Sequence, residues 1–205
     1  MAGLYDRMVL PRLLALAMRA PRLVPLRARI GVAAEGVVLD LGIGSGLNLP
    51  FYGPAVHGVI GIDPSGPLRR LAGARAAALG VALDLREGTA ERLPVESAGV
   101  DTVVSTWTLC SVADPAAALA EVRRVLRPGG RLLFAEHGLA PDPGVARWQH
   151  RLTPGWRRIA GGCHLDRRMD TALTAAGFRI ERLETGYLGG PRVATFMYQG
   201  AARGG

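Results

Sequence analysis

The chain contains no lysine; all 25 of its basic residues are arginine. That absence removes whole classes of chemistry. There is no phosphate-loop Gly-Lys pair, no lysine to carry pyridoxal phosphate as a Schiff base, and no Tyr-x-x-x-Lys pair of the kind short dehydrogenases use. Cysteine is scarce too, with only Cys110 and Cys163. Two cysteines make no disulfide framework and no zinc-ligand spacing, so no metal site is expected and the reducing cytoplasm is the expected compartment. No apolar run approaches the roughly 20 residues of a membrane span. The best, Leu13 to Met18, is short and bounded by Arg12 and Arg19, and no signal-peptide cleavage pattern stands near the start. Aromatics make up 5% of the chain and do not alternate with basic residues as a single-strand stacking platform requires. The net charge of +8 therefore comes from scattered arginines, in a composition rich in Ala, Gly and Pro that suggests GC-biased coding. Nucleic acid is not an expected partner.

What is present is a chain of 205 residues, 49% apolar, enough for one domain, 1–205, with a full core. Val37 to Leu39 reads as a buried strand. It ends in an acid, Asp40, followed by Gly42-x-Gly44-x-Gly46, where the backbone turns sharply and approaches a ligand closely. A second apolar strand, Val56 to Ile62, ends in Asp63. That acid lies about 20 residues beyond Gly42, the spacing of a carboxylate that grips a ribose from the tip of the second strand. Two strands, a glycine turn and two acids make a nucleoside-binding half of a doubly wound sheet.

Further along, the pattern keeps alternating. Residues 3 to 29 read as one or two helices, interrupted by Pro11, Pro21 and Pro25. Strands are expected over 37–41, 56–62, 81–85, 101–106, 131–136, 178–184 and 192–199. A helix over 67–79 starts with Pro67 in its first turn and stops at Gly80. Another begins at the cap Asp114-Pro115, carries Leu119, Val122, Val125 and Leu126 at helical spacing, and ends at Arg127-Pro-Gly-Gly130. Helices over 141–160 and 166–176 follow. The sum is an α/β, Rossmann-like, doubly wound and mostly parallel seven-stranded sheet with helices on both faces and an N-terminal helical lid over 1–30.

The dinucleotide fingerprint would place its third glycine at position 47, which is Leu47. The pattern here, D/E-x-G-x-G-x-G, instead resembles motif one of the class I methyltransferases that use S-adenosylmethionine. Glu87-Gly-Thr-Ala-Glu-Arg-Leu-Pro94, Asp101-Thr-Val-Val104 and Val125-Leu-Arg-Pro-Gly-Gly130 resemble that family's later motifs in order, so the likeness covers about residues 36 to 137. Leu109-Cys-Ser-Val112, Glu136-His137, Trp148-Gln149 and Gly162-Cys163 are similar in order and context to the methyltransferase-like-seven group, whose members are small-molecule thiol S-methyltransferases. That group's animal members carry a hydrophobic N-terminal anchor, and none is expected here. Tyr5-Asp6 resembles the lid tyrosine of quinone and lipid methyltransferases.

The resemblance implies a cofactor, S-adenosyl-L-methionine, and roles for particular residues. Gly42, Gly44 and Gly46 would admit its methionine part, and Asp40 would face the ammonium. Asp63, ahead of Pro64, would accept from both ribose hydroxyls. Thr89 and Ala90 would edge the adenine. Thr89 replaces the family's acid there, so Glu91 or backbone would reach the amino group. Tyr5 would cover the carboxylate, and Thr106 and Trp107 would wall the pocket. Methyl transfer is an in-line displacement driven mainly by positioning, and a thiol needs only help to ionise. His137 is the expected base and Glu136 its orienting partner. Cys110 and Cys163 read as buried small hydrophobes, His150 and His164 as surface residues, and Trp148 and Trp156 as lining for an apolar acceptor pocket in 138–205. The expected activity is methyl transfer to a small apolar acceptor, a thiol sulfur by the closer resemblance. A quinone, phenol or phospholipid acceptor is the rival, since the basic, Leu-rich N-terminus suits peripheral contact with anionic lipid. A non-catalytic S-adenosylmethionine-binding protein is the rival of another class.

Overall fold

The computed structural model describes residues 10–204; Tyr5 and Asp6, and the lid role read on them, lie outside that range. Seven strands form one sheet: β1 (Gly36–Leu41), β2 (Val56–Ile62), β3 (Leu83–Arg86), β4 (Val100–Thr106), β5 (Leu126–His137), β6 (Phe178–Tyr187) and β7 (Phe196–Gly204). Their order is β3-β2-β1-β4-β5-β7-β6. The first five strands in that order pair in parallel, and β7 runs antiparallel to both neighbours.

Among the described residues six helices cover the sheet: α1 (Leu10–Ala17), α2 (Val24–Ala33), α3 (Gly66–Leu79), α4 (Pro115–Val125), α5 (Pro143–Ile159) and α6 (Met169–Ala175). Alternate residues of the central strands divide between two layers, as the two-residue repeat of a strand requires. Leu39, Val103, Leu132 and Phe134 meet Leu119, Val122 and Val125 of α4 on one face. Val38, Val104 and Leu133 meet Leu26 and Ile30 of α2 on the other. The continuous apolar runs of β1 and β4 exist because both faces are covered. No helix among the described residues is long and apolar enough to cross a membrane.

The helix starts follow from local chemistry. Ser65 accepts from the Leu68 N–H, and Gly80 closes α3 in the left-handed region. Asp114 accepts from the N–H groups of Ala116 and Ala117 at the start of α4, satisfying donors that the first helical turn leaves without partners.

Two boundaries differ most from expectation. The Arg127–Gly130 turn does not separate helix from strand but is a bulge within β5: Val100 faces Leu126, whereas Thr102 already faces Arg131. The last strand runs over 196–204, not 192–199, because Arg192–Ala194 forms a short 3-10 turn. Ala201-Ala202-Arg203 has little strand preference of its own. Pairing with β5 on one side and β6 on the other makes it a strand. From β1 the chain proceeds to β2, and from β4 it proceeds to β5, on opposite sides. That reversal opens a crevice at the carboxyl ends of β1 and β4, where doubly wound sheets bind ligands.

Candidate active site

The glycine turn is shaped by two close approaches. A Cβ on Gly42 would stand 2.3 Å from Thr108 Oγ1, and its φ is +65°. Only glycine lets the exit of β1 lie against the exit of β4. A Cβ on Gly46 would stand 2.8 Å from Leu49 Cδ1 and 3.1 Å from Ala72 Cα, so Gly46 serves the seating of α3 and does not reach the cavity wall. Between them, the Gly44 N–H donates to Asp63 Oδ2 at 3.0 Å, and the Ser65 N–H donates to Oδ1 at 2.8 Å. Asp63 is thus fixed at the tip of β2 on the cavity wall. Burial pushes its carboxyl above the ordinary range, against the pull of those two N–H groups. Further hydroxyl donors from a ligand would relieve that strain on the charge.

The cavity holds about 1250 Å³. One end is walled by Gly42, Gly44, Asp63, Pro64 and the segment Thr89-Ala90-Glu91. Thr106, Trp107 and Thr108 line it too, and at its other end stand Cys110, His137 and Cys163 beneath Leu152, Trp156 and Ile159 of α5. Ser45 Oγ, on the glycine-turn wall, is buried with no hydrogen-bond partner among the described residues. Buried polar atoms are nearly always paired, so this one suits a polar ligand group. The turn, the fixed Asp63 and the orphan hydroxyl fit the methionine and ribose parts of S-adenosylmethionine. Glu91 is not wholly free for the adenine: its Oε1 accepts from the N–H groups of Ala113 and Asp114.

Asp40 sits behind this wall rather than on it. It is fully buried, accepting from Asn48 Nδ2 at 3.0 and 3.2 Å and from the Tyr52 hydroxyl at 2.8 Å. Asn48 Oδ1 in turn accepts from Arg27 at 2.7 Å. Arg27 reaches Thr106 Oγ1 at 3.3 Å and lies 4.7 Å from the centre of the Trp107 ring. Burial lifts the Asp40 carboxyl to about 6, with Tyr52, Asn48 and Arg27 opposing. Burial also lowers Arg27 to about 10 against the attraction of Asp40. Arg27, Thr106 and Trp107 of this network line the cavity; Asp40 does not. Sequence reasoning missed Arg27, Asn48 and Tyr52. Asn48 and Tyr52 stood close behind the glycine turn, but nothing marked Arg27 among 25 arginines.

At the acceptor end, Glu136 has a different task from the one expected. Oε1 accepts from Ser105 Oγ at 2.6 Å and from the N–H groups of Thr108 and Leu109 at 3.2 and 3.1 Å. Oε2 accepts from the Cys110 N–H at 3.0 Å. No hydrogen bond joins it to His137 among the described residues. The buried carboxylate instead gathers the loop after β4, in which Trp107 is held at φ +55°, an uncommon and strained conformation for a bulky residue. His137 Nδ1 faces Cys163 Sγ at 3.3 Å, and the two cysteine sulfurs share a hydrogen bond at 3.7 Å. That bond leads the causes that push Cys110 well above its ordinary value and Cys163 below.

On α5, Leu152, Trp156 and Ile159 reach the cavity. Trp148 does not: one turn too early on the helix, it is 54% exposed, with Arg151 over its ring. Gln149 is buried and ties the acceptor side together, its Oε1 accepting from Ala140 N–H and its Nε2 donating to the Gly138 and Val193 carbonyls. His150 is exposed and bonded to Asp166, and His164 also faces Asp166.

Comparison with known proteins finds similar chains among methyltransferases. Residues 39–134 match the model of a methyltransferase domain. The thiol S-methyltransferase TMT1B of Rattus norvegicus is 35% identical over 164 residues, covering 75% of this chain and 64% of its own. TMT1B of Homo sapiens is 34% identical over 169 residues, covering 78% and 66%. The chain thus spans slightly less than two thirds of these relatives' length. The crystal structure of the YcgJ protein from Bacillus subtilis superposes with a TM-score of 0.66 at 23% identity, covering 80% of this chain and 72% of that one.

Proposed function

We propose that the chain is a class I methyltransferase that uses S-adenosylmethionine, a reading the matched methyltransferase domain and the thiol S-methyltransferase relatives support, that it methylates a small apolar acceptor, and that the accepting atom is a thiol sulfur. The observation that carries this is one continuous cavity with a glycine turn and Asp63 at one end and His137 beside two sulfurs at the other. The thiol S-methyltransferases it resembles support the choice of sulfur.

S-adenosylmethionine, when bound, supplies an electrophilic methyl on a sulfonium. Asp63 accepts from the ribose hydroxyls, beside Pro64. Gly42 and Gly44 bring backbone close to the methionine part, Arg27 suits its carboxylate, and Ser45 Oγ gains its missing partner. Asp40 acts at one remove, by holding Asn48 and through it Arg27. Thr89 and Ala90 flank the adenine. Thr106 and Trp107 form the wall between the two ends. Leu152, Trp156 and Ile159 exclude water and favour an apolar acceptor. His137 takes the thiol proton through Nε2, since Nδ1 faces Cys163. Glu136 is a positioning residue that shapes the loop around Cys110. Residues 36–137 thus serve the cofactor, 138–204 serve the acceptor, and α1 and α2 serve as a lid. A reducing cytoplasm is the compartment that keeps two sulfurs 3.7 Å apart as thiols.

One observation favours a second reading. Leu13, Leu16 and Ile159 are exposed, and Leu13 and Ile159 lie on the cavity wall, which would suit a quinol or phospholipid entering from an anionic lipid surface. Release of S-adenosylhomocysteine over a panel of an alkyl thiol, hydrogen sulfide, a catechol, a quinol and phospholipid vesicles separates the two. Turnover confined to thiols is expected. Turnover confined to the quinol or vesicles overturns the thiol assignment, and cofactor binding with silence on the whole panel makes this a binding protein.

A further inference from the structure

The two cysteines are 53 residues apart and their spacing suggests no metal site, yet the fold brings them together with His137. Cys110 follows β4, His137 ends β5, and Cys163 follows α5. One ligand atom from each lies within 4.8 Å of the others. The sulfurs are 3.7 Å apart, and His137 Nδ1 is 3.3 Å from Cys163 Sγ. A tetrahedral zinc ion with Zn–S of about 2.3 Å and Zn–N of about 2.0–2.1 Å sets a sulfur–sulfur edge of about 3.8 Å and a sulfur–nitrogen edge of about 3.6 Å. Both of these edges agree to within a few tenths of an ångström, and the third, from Cys110 Sγ to His137, is no longer than 4.8 Å.

The surroundings suit a ligand set. All three side chains line the cavity, and both cysteines are buried. Two thiolates and a neutral imidazole cancel the charge of a divalent ion, so the loaded corner is neutral, as an apolar wall demands. Outer partners hold the ligands in place. Glu136 accepts from the Cys110 N–H. Arg167 donates to the carbonyls of Leu109 and Val112 on either side of Cys110. Second-shell bonds of this kind orient metal ligands.

We propose that Cys110 Sγ, Cys163 Sγ and His137 Nδ1 bind one soft divalent cation of the zinc type, with a fourth position open to the acceptor sulfur. Three protein ligands with an open fourth place are the arrangement of catalytic zinc. Only this last part rests on the thiol reading. On coordination the acceptor loses its S–H proton to water, so the metal replaces the imidazole as the means of ionisation. The thiolate then forms the new S–C bond as the methyl–sulfonium bond breaks, its electron pair staying on the departing thioether.

The test is titration of the reduced protein with Co2+, followed by electronic absorption, without cofactor or acceptor. One equivalent is expected, with thiolate-to-cobalt charge transfer and the intense visible bands of a four-coordinate ion, displaced by Zn2+. Cys163→Ala and Cys110→Ala should each weaken uptake about a hundredfold or more, since even second-shell losses cost 10–100-fold. Unchanged S-adenosylmethionine affinity in Cys163→Ala would show that the variant is folded. No saturable uptake by the wild type overturns the proposal. So does a six-coordinate spectrum without sulfur charge transfer, or a Cys110–Cys163 disulfide in a protein whose reduced form takes no cobalt. Metal uptake without thiol turnover would instead overturn only the assignment of the acceptor.

Discussion

Replacing Glu136 with Gln tests how the acceptor end of the cavity is built. The carboxylate is fully buried and accepts four hydrogen bonds, three of them from consecutive backbone N–H groups, those of Thr108, Leu109 and Cys110. An amide keeps one acceptor oxygen and turns a donor toward a donor. With the oxygen at the Oε1 site, the Cys110 N–H loses its partner. One unpaired buried N–H costs about 1–3 kcal/mol, and the remaining bonds lose their charge assistance. Removing a buried charge offsets part of this, which leaves a net loss of about 2 kcal/mol. For a chain of this size that is a fall in Tm of about 4–8 °C. Glu136→Ala leaves three N–H groups unpaired together with a cavity and should cost about 4 kcal/mol or more. Urea melts give the stabilities, and Trp fluorescence with hydrogen exchange at Thr108, Leu109 and Cys110 gives the local effect. Cofactor affinity should stay within about twofold, because the glycine turn and Asp63 are untouched. Glu136→Gln with wild-type stability, or Glu136→Ala no worse than Glu136→Gln, would refute the reasoning.

Three further outcomes follow from the site. His137→Ala should slow methylation of a thiol in metal-free protein, with a loss that shrinks as pH rises past the thiol's own pKa of about 8.5; a loss independent of pH removes His137 as the base. Asp40, lifted by burial to about 6, binds its proton more tightly folded than unfolded, so its ionisation between about pH 4 and 6 lowers stability. The stability of Asp40→Asn relative to wild type, from urea melts at pH 4 and pH 7, should therefore move in the variant's favour by up to about 3 kcal/mol; no change with pH contradicts the burial argument. Gly42→Ala puts a Cβ 2.3 Å from Thr108 Oγ1 at a φ of +65°. It should cost at least 1–2 kcal/mol of backbone strain and be partly rescued by Thr108→Ala, and full stability of the single variant on thermal melting would exclude the close approach.

The central strands, α3 and α4 were legible because their signals are local. Ser65, Gly80 and Asp114 cap the helices they were expected to cap, and the apolar runs of β1, β2 and β4 are the strands. β7 was misplaced because Ala201 and Ala202 become a strand only through partners far away in the chain. At the site, Asp63, Gly42 and Gly44 reach the cavity as their spacing predicted. Asp40 was expected to face the cofactor ammonium and Glu136 to orient His137, but Asp40 lies behind the cavity wall and Glu136 has no hydrogen bond to His137 among the described residues. A buried carboxylate is held by whatever donors the fold delivers, here Asn48 and Tyr52 for one and the loop after β4 for the other. The Cys110–His137–Cys163 corner was unreadable for the same reason, because it joins three elements that meet only in the folded chain.

The central claim is that the glycine turn and Asp63 hold S-adenosylmethionine. Calorimetric titration of that cofactor into wild-type protein and into Asp63→Asn tests it most directly. Binding at one site per chain is expected, with a loss in the variant of about 10–100-fold, the worth of hydrogen bonds to a charged group at about 1.5–3 kcal/mol, while the thermal melt shows the variant folded. Equal affinity in the two proteins would contradict the account.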